Sequence, residues 1–138
     1  MDSLSLDILK LNAIANRQLA DKSRLCLRRS CHAAYHYKRV DGYVKTIDAV
    51  NGHQLHSCTA EPGSCGCPHA EAKLVLKMLE HKAEAGGILV TTMSPCSACA
   101  WLIRLSGYAA TVAYLEEYDN DRSGITVLRA GGIEVVKL

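Results

Sequence analysis

Two short stretches constrain this chain more than anything else in it: Pro68-His69-Ala70-Glu71 and Ser94-Pro95-Cys96-Ser97-Ala98-Cys99. One histidine and two cysteines are three ligands for a borderline-soft metal, and a carboxylate beside the histidine is a candidate proton carrier. For the three to share one ion, the fold must bring the two stretches to a single point.

Local geometry assigns the roles. Ser94 suits a helix cap and Pro95 the first turn, so Cys96 and Cys99, at i and i+3, point to one side. The helix dipole is positive there, which lowers a thiol pKa and favours the thiolates that zinc binds. His69 enters another helix straight after Pro68, with Glu71 two positions on. Two positions are about 200° around a helix, so the pair would not both ligate one metal from regular helical positions. His69 is then the ligand, and Glu71 the base that faces the fourth coordination position. A neutral histidine and two thiolates cancel the charge of zinc, so metal-bound water is acidified less than at an all-histidine site and needs a nearby base. A contrary reading uses Cys67 as a fourth ligand, which closes a Cys3His site and leaves no reaction. Glu71 speaks against it, because a structural site has no use for that carboxylate.

A chain of 138 residues, 49% apolar, has room for a single domain, 1–138, with one core. A net charge of +2 is small for a protein living on phosphate contacts, so a nucleic-acid partner is not indicated. Seven cysteines is an odd number, and the first residues lack a signal peptide's basic start and apolar run. Thiols and metal ligands in a reducing compartment fit better than a disulfide framework. No apolar run approaches the ~20 residues that span a bilayer, so the expectation is a cytoplasmic protein, in a host's cytoplasm if viral.

In chain order, Leu4, Ile8, Leu11, Ala15 and Leu19 form the apolar stripe of a first helix. Asp41-Gly42 between β-prone runs predicts a hairpin, with Asn51-Gly52 closing its second strand. From His69, Ala70, Leu74, Val75, Met78 and Leu79 make the inner face of a helix stopped by Gly86-Gly87. A strand over 88–92, the Cys96 helix to Gly107, a strand over 111–115, a helix over 123–130 and a strand over 133–136 complete the pattern. Strands alternating with helices imply parallel pairing and right-handed crossovers. The expected architecture is α/β, a three-layer α/β/α domain with a five-stranded mixed sheet.

The connection from Gly52 to Pro68 is long for a compact domain. It carries His53, His56, Cys58 and Cys65, which could hold a second, structural zinc; adventitious thiols are the alternative. A phosphate on the substrate would need guanidinium or ammonium donors, for which Arg24, Arg28, Arg29, Lys38 and Arg122 are candidates. The plainer reading of the first cluster is a solvated helix end. Tyr114 and Tyr118 could support a pocket wall, with ordinary packing for at least one of them.

H-x-E followed by P-C-x-x-C is the known signature of zinc nucleobase deaminases. With CPHAE (67–71), SPCSACAWLIRLSGY (94–108), YLEEYD (114–119) and LRAGGIEV (128–135), the chain resembles the cytidine deaminase superfamily, and within it the deoxycytidylate (dCMP) deaminases of bacteriophages. The resemblance is strong from about residue 67 onward. It implies the cytidine deaminase-like fold, zinc on His69, Cys96 and Cys99, proton transfer by Glu71, and a sugar contact from Asn51. Ala70, Ser94, Pro95 and Tyr118 complete the substrate-binding candidates. It implies conversion of dCMP to dUMP and ammonia in pyrimidine nucleotide supply, and a homo-oligomer, often a hexamer, under allosteric control by dCTP and dTTP. Two departures stand out: Lys73 replaces an asparagine two residues after the glutamate, and Ala49-Val50 replace a glycine-tyrosine before Asn51. A solvated helix face is the plain reading of Lys73. The tRNA adenosine deaminases share the metal motif but usually have glutamate where this chain has Ser94. The alternatives are a deaminase of free deoxycytidine or cytidine, dCTP or a modified cytosine nucleotide and, from another class, a non-catalytic zinc-stapled binding or regulatory domain.

Overall fold

The computed structural model describes residues 5–23, 25–27, 31–61, 65–119 and 121–138. Along them run α1 (Leu6–Ser23), β1 (His32–Lys38), β2 (Val44–Val50), α2 (Ala70–Glu80), β3 (Gly87–Met93), α3 (Ser97–Ser106), β4 (Ala109–Glu116), α4 (Ser123–Ala130) and β5 (Glu134–Lys137). The strands form one mixed sheet in the order β2-β1-β3-β4-β5. β1 is antiparallel to β2 and β3, whereas β3, β4 and β5 are parallel, as strand–helix alternation requires.

The hairpin forms where the turn dipeptide places it, with Lys38 opposite Val44 and Gly42 at φ +91°. β1 alternates between two buried faces. Ala33, Tyr35 and Tyr37 join Leu74, Met78, Ile103 and Leu128 in the larger core beneath α2, α3 and α4. On the opposite face, Leu9 and Ala13 of α1 pack on Val90 and Ala113. The three layers are therefore α1, the sheet, and the other helices.

The first helix lies where its periodicity predicts, but with another face inward. Leu9, Ala13 and Ala20 are buried, while Ile8, Leu11 and Leu19 are exposed, Leu11 by 67%. Leu4 lies outside the described residues. Small alanines let the helix settle close on the sheet, so shape complementarity overrides the hydropathy of the leucine stripe. The second helix ends at Glu80, before Gly86-Gly87, with Lys82 in the left-handed region at φ +51°. Gly87 opens β3 instead. A Cβ there would lie 2.3 Å from the His36 carbonyl oxygen and 2.8 Å from the Tyr35 ring, so no other residue fits without displacement. No helix among the described residues is long and apolar enough to cross a membrane.

Candidate active site

β1 runs antiparallel to β3, so the start of β1 lies beside the end of β3, and the N-termini of α2 and α3 meet at that edge of the sheet. His69 is the N-cap of α2 and Cys96 the N-cap of α3. This corrects the expectation that Ser94 caps the helix with Pro95 in its first turn. Ser94 is committed elsewhere: its hydroxyl accepts the Tyr118 amide at 2.7 Å and its own amide donates to the Glu116 carbonyl at 2.8 Å. The first amide of α3, that of Ser97, donates to the Asp121 carboxylate at 2.8 Å. Two helix starts, each with positive partial charge, thus converge where thiolates are needed.

His69 Nδ1 lies 3.6 Å from Cys96 Sγ and 3.4 Å from Cys99 Sγ. Zinc–nitrogen and zinc–sulfur bonds in tetrahedral array put their donor atoms about 3.6 Å apart, so this trio fits a zinc ion without rearrangement. The Cys99 thiol and the His69 ring draw the Cys96 thiol down to about 4. Cys99 is pushed up by that neighbouring sulfur and by burial.

Glu71, in the first turn of α2, is 8% exposed. Burial raises its carboxyl pKa; its own backbone amide and the nearby His69 ring oppose that shift. Its side chain is hydrogen-bonded to Cys99, which puts the carboxylate beside the trio and not within it. A cleft of about 420 Å³ opens over this floor. Asn51, Ala70, Ser94 and Tyr118 line it, as do Cys31 and Met93, which sequence reasoning missed. Pro95 is not on the wall: it is buried behind it, its carbonyl facing Gly124 of α4. Tyr114 is buried in β4, so of the two tyrosines Tyr118 forms the wall.

The asparagine turn is held from both sides. The Cys31 amide donates to Asn51 Oδ1 at 2.8 Å, and the Asn51 amide to the Cys31 carbonyl at 3.1 Å. Lys73 donates from Nζ to the Val50 carbonyl at 2.8 Å and to the Gly52 carbonyl at 2.6 Å. The solvated-face reading of Lys73 is therefore wrong. Its half-buried ammonium clasps the carbonyls flanking Asn51, and burial lowers its pKa.

Among the phosphate candidates, Arg24, Arg28 and Arg29 lie outside the described residues. Arg122 is exposed and pairs with Asp119 at 3.0 Å and Glu117 at 3.7 Å. Lys38 ends β1 at the edge of the sheet away from the cleft.

The second cluster differs from its expected composition. Cys58 and Cys65 belong to it, but with Cys26 and Cys67; His53 and His56 do not. His53 Nδ1 accepts the Leu55 amide at 3.0 Å and His56 Nε2 donates to the Cys65 carbonyl at 2.7 Å, so both rings are used in building the loop. Cys26 could not be paired with this loop by sequence, since it sits 32 positions before Cys58.

Residues 19–115, well over half of the chain, match the family described as the cytidine and deoxycytidylate deaminase zinc-binding region. The chain belongs to that family. The site agrees: a trio fitted for zinc, with a buried carboxylate beside it. Among solved structures, this family member is similar to the dCMP deaminase of cyanophage S-TIM5. In complex with dCMP and dUMP that enzyme is 27% identical, with a TM-score of 0.78 over 98% of this chain and 99% of that one. Its apo form superposes at 0.73 with 26% identity, covering 98% of this chain and all of the other. The guanine deaminase of Nitrosomonas europaea, 16% identical with a TM-score of 0.64 over 96% of this chain and 76% of that one, shares the fold. None of the curated proteins matches this chain by sequence.

Proposed function

We propose that the chain is a zinc-dependent hydrolytic deaminase of a cytosine deoxynucleotide, converting dCMP and water to dUMP and ammonia. The observation that carries this is the separation of Cys67 from the His69 trio. Cys67 groups with three other thiols, so the fourth coordination position at His69, Cys96 and Cys99 is left to solvent and substrate. The similarity to a phage dCMP deaminase that binds dCMP and dUMP supports the choice of substrate.

His69, Cys96 and Cys99 would hold the ion, and bound zinc supplies an activated water and a Lewis acid at the floor of the cleft. Glu71 takes the proton that water gives up, delivers it to the ring nitrogen next to C4, and passes another to the departing amine. Burial raises the carboxyl pKa, which makes the carboxylate a better proton acceptor than a solvated one. The Cys31 amide fixes the Asn51 carboxamide on the cleft wall, where it would meet the sugar. Water's oxygen ends on C4, and the bond from C4 to the exocyclic amine nitrogen is the one broken.

A homo-oligomer, a hexamer by family resemblance, is part of this reading. The exposed leucines of α1 and Trp101 and Leu105 of α3 support self-association. A cytoplasmic location goes with such a reaction.

One assay tests the function: ammonia release from deoxycytidine, dCMP, dCTP and CMP by zinc-loaded protein, with Glu71→Ala alongside. Preference for dCMP is expected. Equal activity on all four removes the phosphate claim, and no activity on any promotes a zinc-stapled binding domain.

A further inference from the structure

The two places where the chain departs from the family's pattern are one structure. Lys73, in place of an asparagine on α2, donates to the carbonyl of Val50, which with Ala49 stands in place of a glycine-tyrosine before Asn51. The same ammonium donates to the carbonyl of Gly52, on the other side of Asn51. We propose that Lys73 is a positioning residue for the reaction: it locks the turn that presents Asn51 to the helix whose start carries His69 and Glu71. This rests on the deaminase reading, which makes Asn51 the group that meets the sugar.

The alternation of hydrogen bonds along β2 explains why the turn needs donors from outside. Val50 lies opposite His32 and Asp48 opposite Ala34, while Asn51 continues the ladder by donating its amide to the Cys31 carbonyl. Every second residue of an antiparallel strand turns its carbonyl away from the partner strand. Asp48 and Val50 are those residues, and β2 has a neighbouring strand on one side only, so both carbonyls project from the free edge of the sheet. Ala49 and Val50 have no side-chain donor of their own. Asn51 and Gly52 are buried, and a buried carbonyl left without a partner is costly.

Helix α2 supplies the donors in register. Lys73 and Lys77 are about 6 Å apart along the helix, close to the roughly 7 Å between alternate residues of a strand. Lys77 takes the Asp48 carbonyl at 2.7 Å, and Lys73 takes those of Val50 at 2.8 Å and Gly52 at 2.6 Å. Lys77 is exposed and holds the strand, whereas Lys73 is half-buried and straddles Asn51. Contacts from loops complete the turn. The Gly52 amide donates to the Pro68 carbonyl, and Gly52, at φ +88°, lets the Leu25–Cys26 backbone approach: a Cβ there would lie 2.7 Å from the Leu25 carbonyl carbon. With its oxygen on the Cys31 amide, the Asn51 carboxamide has a set direction within the turn. Lys73 carries that direction over to α2, so sugar contact and proton carrier keep one spacing.

The test is a double-mutant cycle on zinc-loaded protein with dCMP as the probe. Lys73→Met is expected to raise KM about tenfold with a smaller change in kcat, and to add less than about twofold in an Asn51→Ala background, because its effect passes through Asn51. Effects that multiply in the double variant overturn the proposal. Lys77→Met removes a bond between the same helix and strand without touching the turn, so its KM should stay within about twofold of the parent. A rise equal to that of Lys73→Met would mean general loosening of α2 from β2, and overturns the proposal too. Amide hydrogen exchange reads the lock without substrate or turnover: the Asn51 and Gly52 amides should exchange about tenfold faster in Lys73→Met and at the parent's rate in Lys77→Met. Unchanged exchange in Lys73→Met overturns the lock. If exchange behaves as expected while the parent fails to deaminate dCMP, the deaminase reading falls and the lock stands.

Discussion

Cys67 and His69 are two residues apart, yet their side chains belong to different groups: Cys67 meets Cys26, Cys58 and Cys65, while His69 meets Cys96 and Cys99. Pro68 between them has its carbonyl held by the Gly52 amide at 2.9 Å. The chain passes over this point from a cysteine-rich strap into the first turn of α2. This divergence is what separates an enzyme from a closed zinc staple.

In the proposed reaction Glu71 carries protons and is not one of the metal's ligands. Glu71→Ala should lower kcat by about 10³-fold or more, within the range of lost general acid–base catalysis, with zinc content unchanged. Loss of metal along with activity would instead make Glu71 part of the metal site. Steady-state kinetics with a zinc count on the same preparation decides.

Lys73 should act on KM more than on kcat. Its two bonds hold the carbonyls on either side of Asn51, and Lys73→Met keeps the aliphatic stem while removing them. Losing such half-buried, charge-assisted bonds costs about 1–2 kcal/mol, so KM for the nucleotide should rise about tenfold with a smaller change in kcat. An equal fall in kcat at constant KM would contradict a positioning role.

Gly124→Ala should loosen the metal trio from behind. A Cβ at that position would lie 2.0 Å from the Pro95 carbonyl oxygen and 3.0 Å from that of Cys96, so α4 would have to move off the turn that carries Cys96. Such overpacking against backbone costs about 1–3 kcal/mol. Thermal unfolding should shift down, and zinc should exchange to a chelator faster than from the parent.

Asp121 joins two helix starts, accepting the Ser97 amide at 2.8 Å and the Ser123 amide at 3.1 Å. The Ser123 hydroxyl and then the Ser97 amide pull its pKa from 3.8 to about 2. A carboxylate depressed on folding stabilises the native state fully above its unfolded pKa, and that contribution disappears as pH falls through the folded one. The melting-temperature difference between parent and Asp121→Asn should therefore be constant above about pH 5 and shrink between about pH 4 and 2. A difference that stays flat across that window would refute the assignment.

Tyr35 is fully buried and its hydroxyl donates toward the Glu84 and Tyr108 carbonyls while accepting the Gly87 amide. Tyr35→Phe leaves those groups short of a partner and should cost about 1–3 kcal/mol, read from denaturant unfolding. The cleft lies at the other edge of the sheet, so KM should change little.

The order and kind of the elements were legible in the sequence because their signals are local. Asp41-Gly42 sets its turn whatever surrounds it, and the helix over 123–130 has the same bounds in both readings. The trio His69, Cys96 and Cys99, with Glu71, was legible for a related reason: two compact motifs carry it, and ligand chemistry admits few readings of one histidine and a Cys-x-x-Cys pair. What tertiary structure decided depends on contacts between segments far apart in the chain. Which face of α1 turns inward follows from the fit of alanines to the sheet. Lys73 finds its carbonyls only once β2 lies beside α2, and Cys26 joins Cys58 and Cys67 only once Gly52 admits the chain that bears it. A side chain's chemistry is written in the sequence, but its partner is chosen by where the backbone of other segments comes to rest.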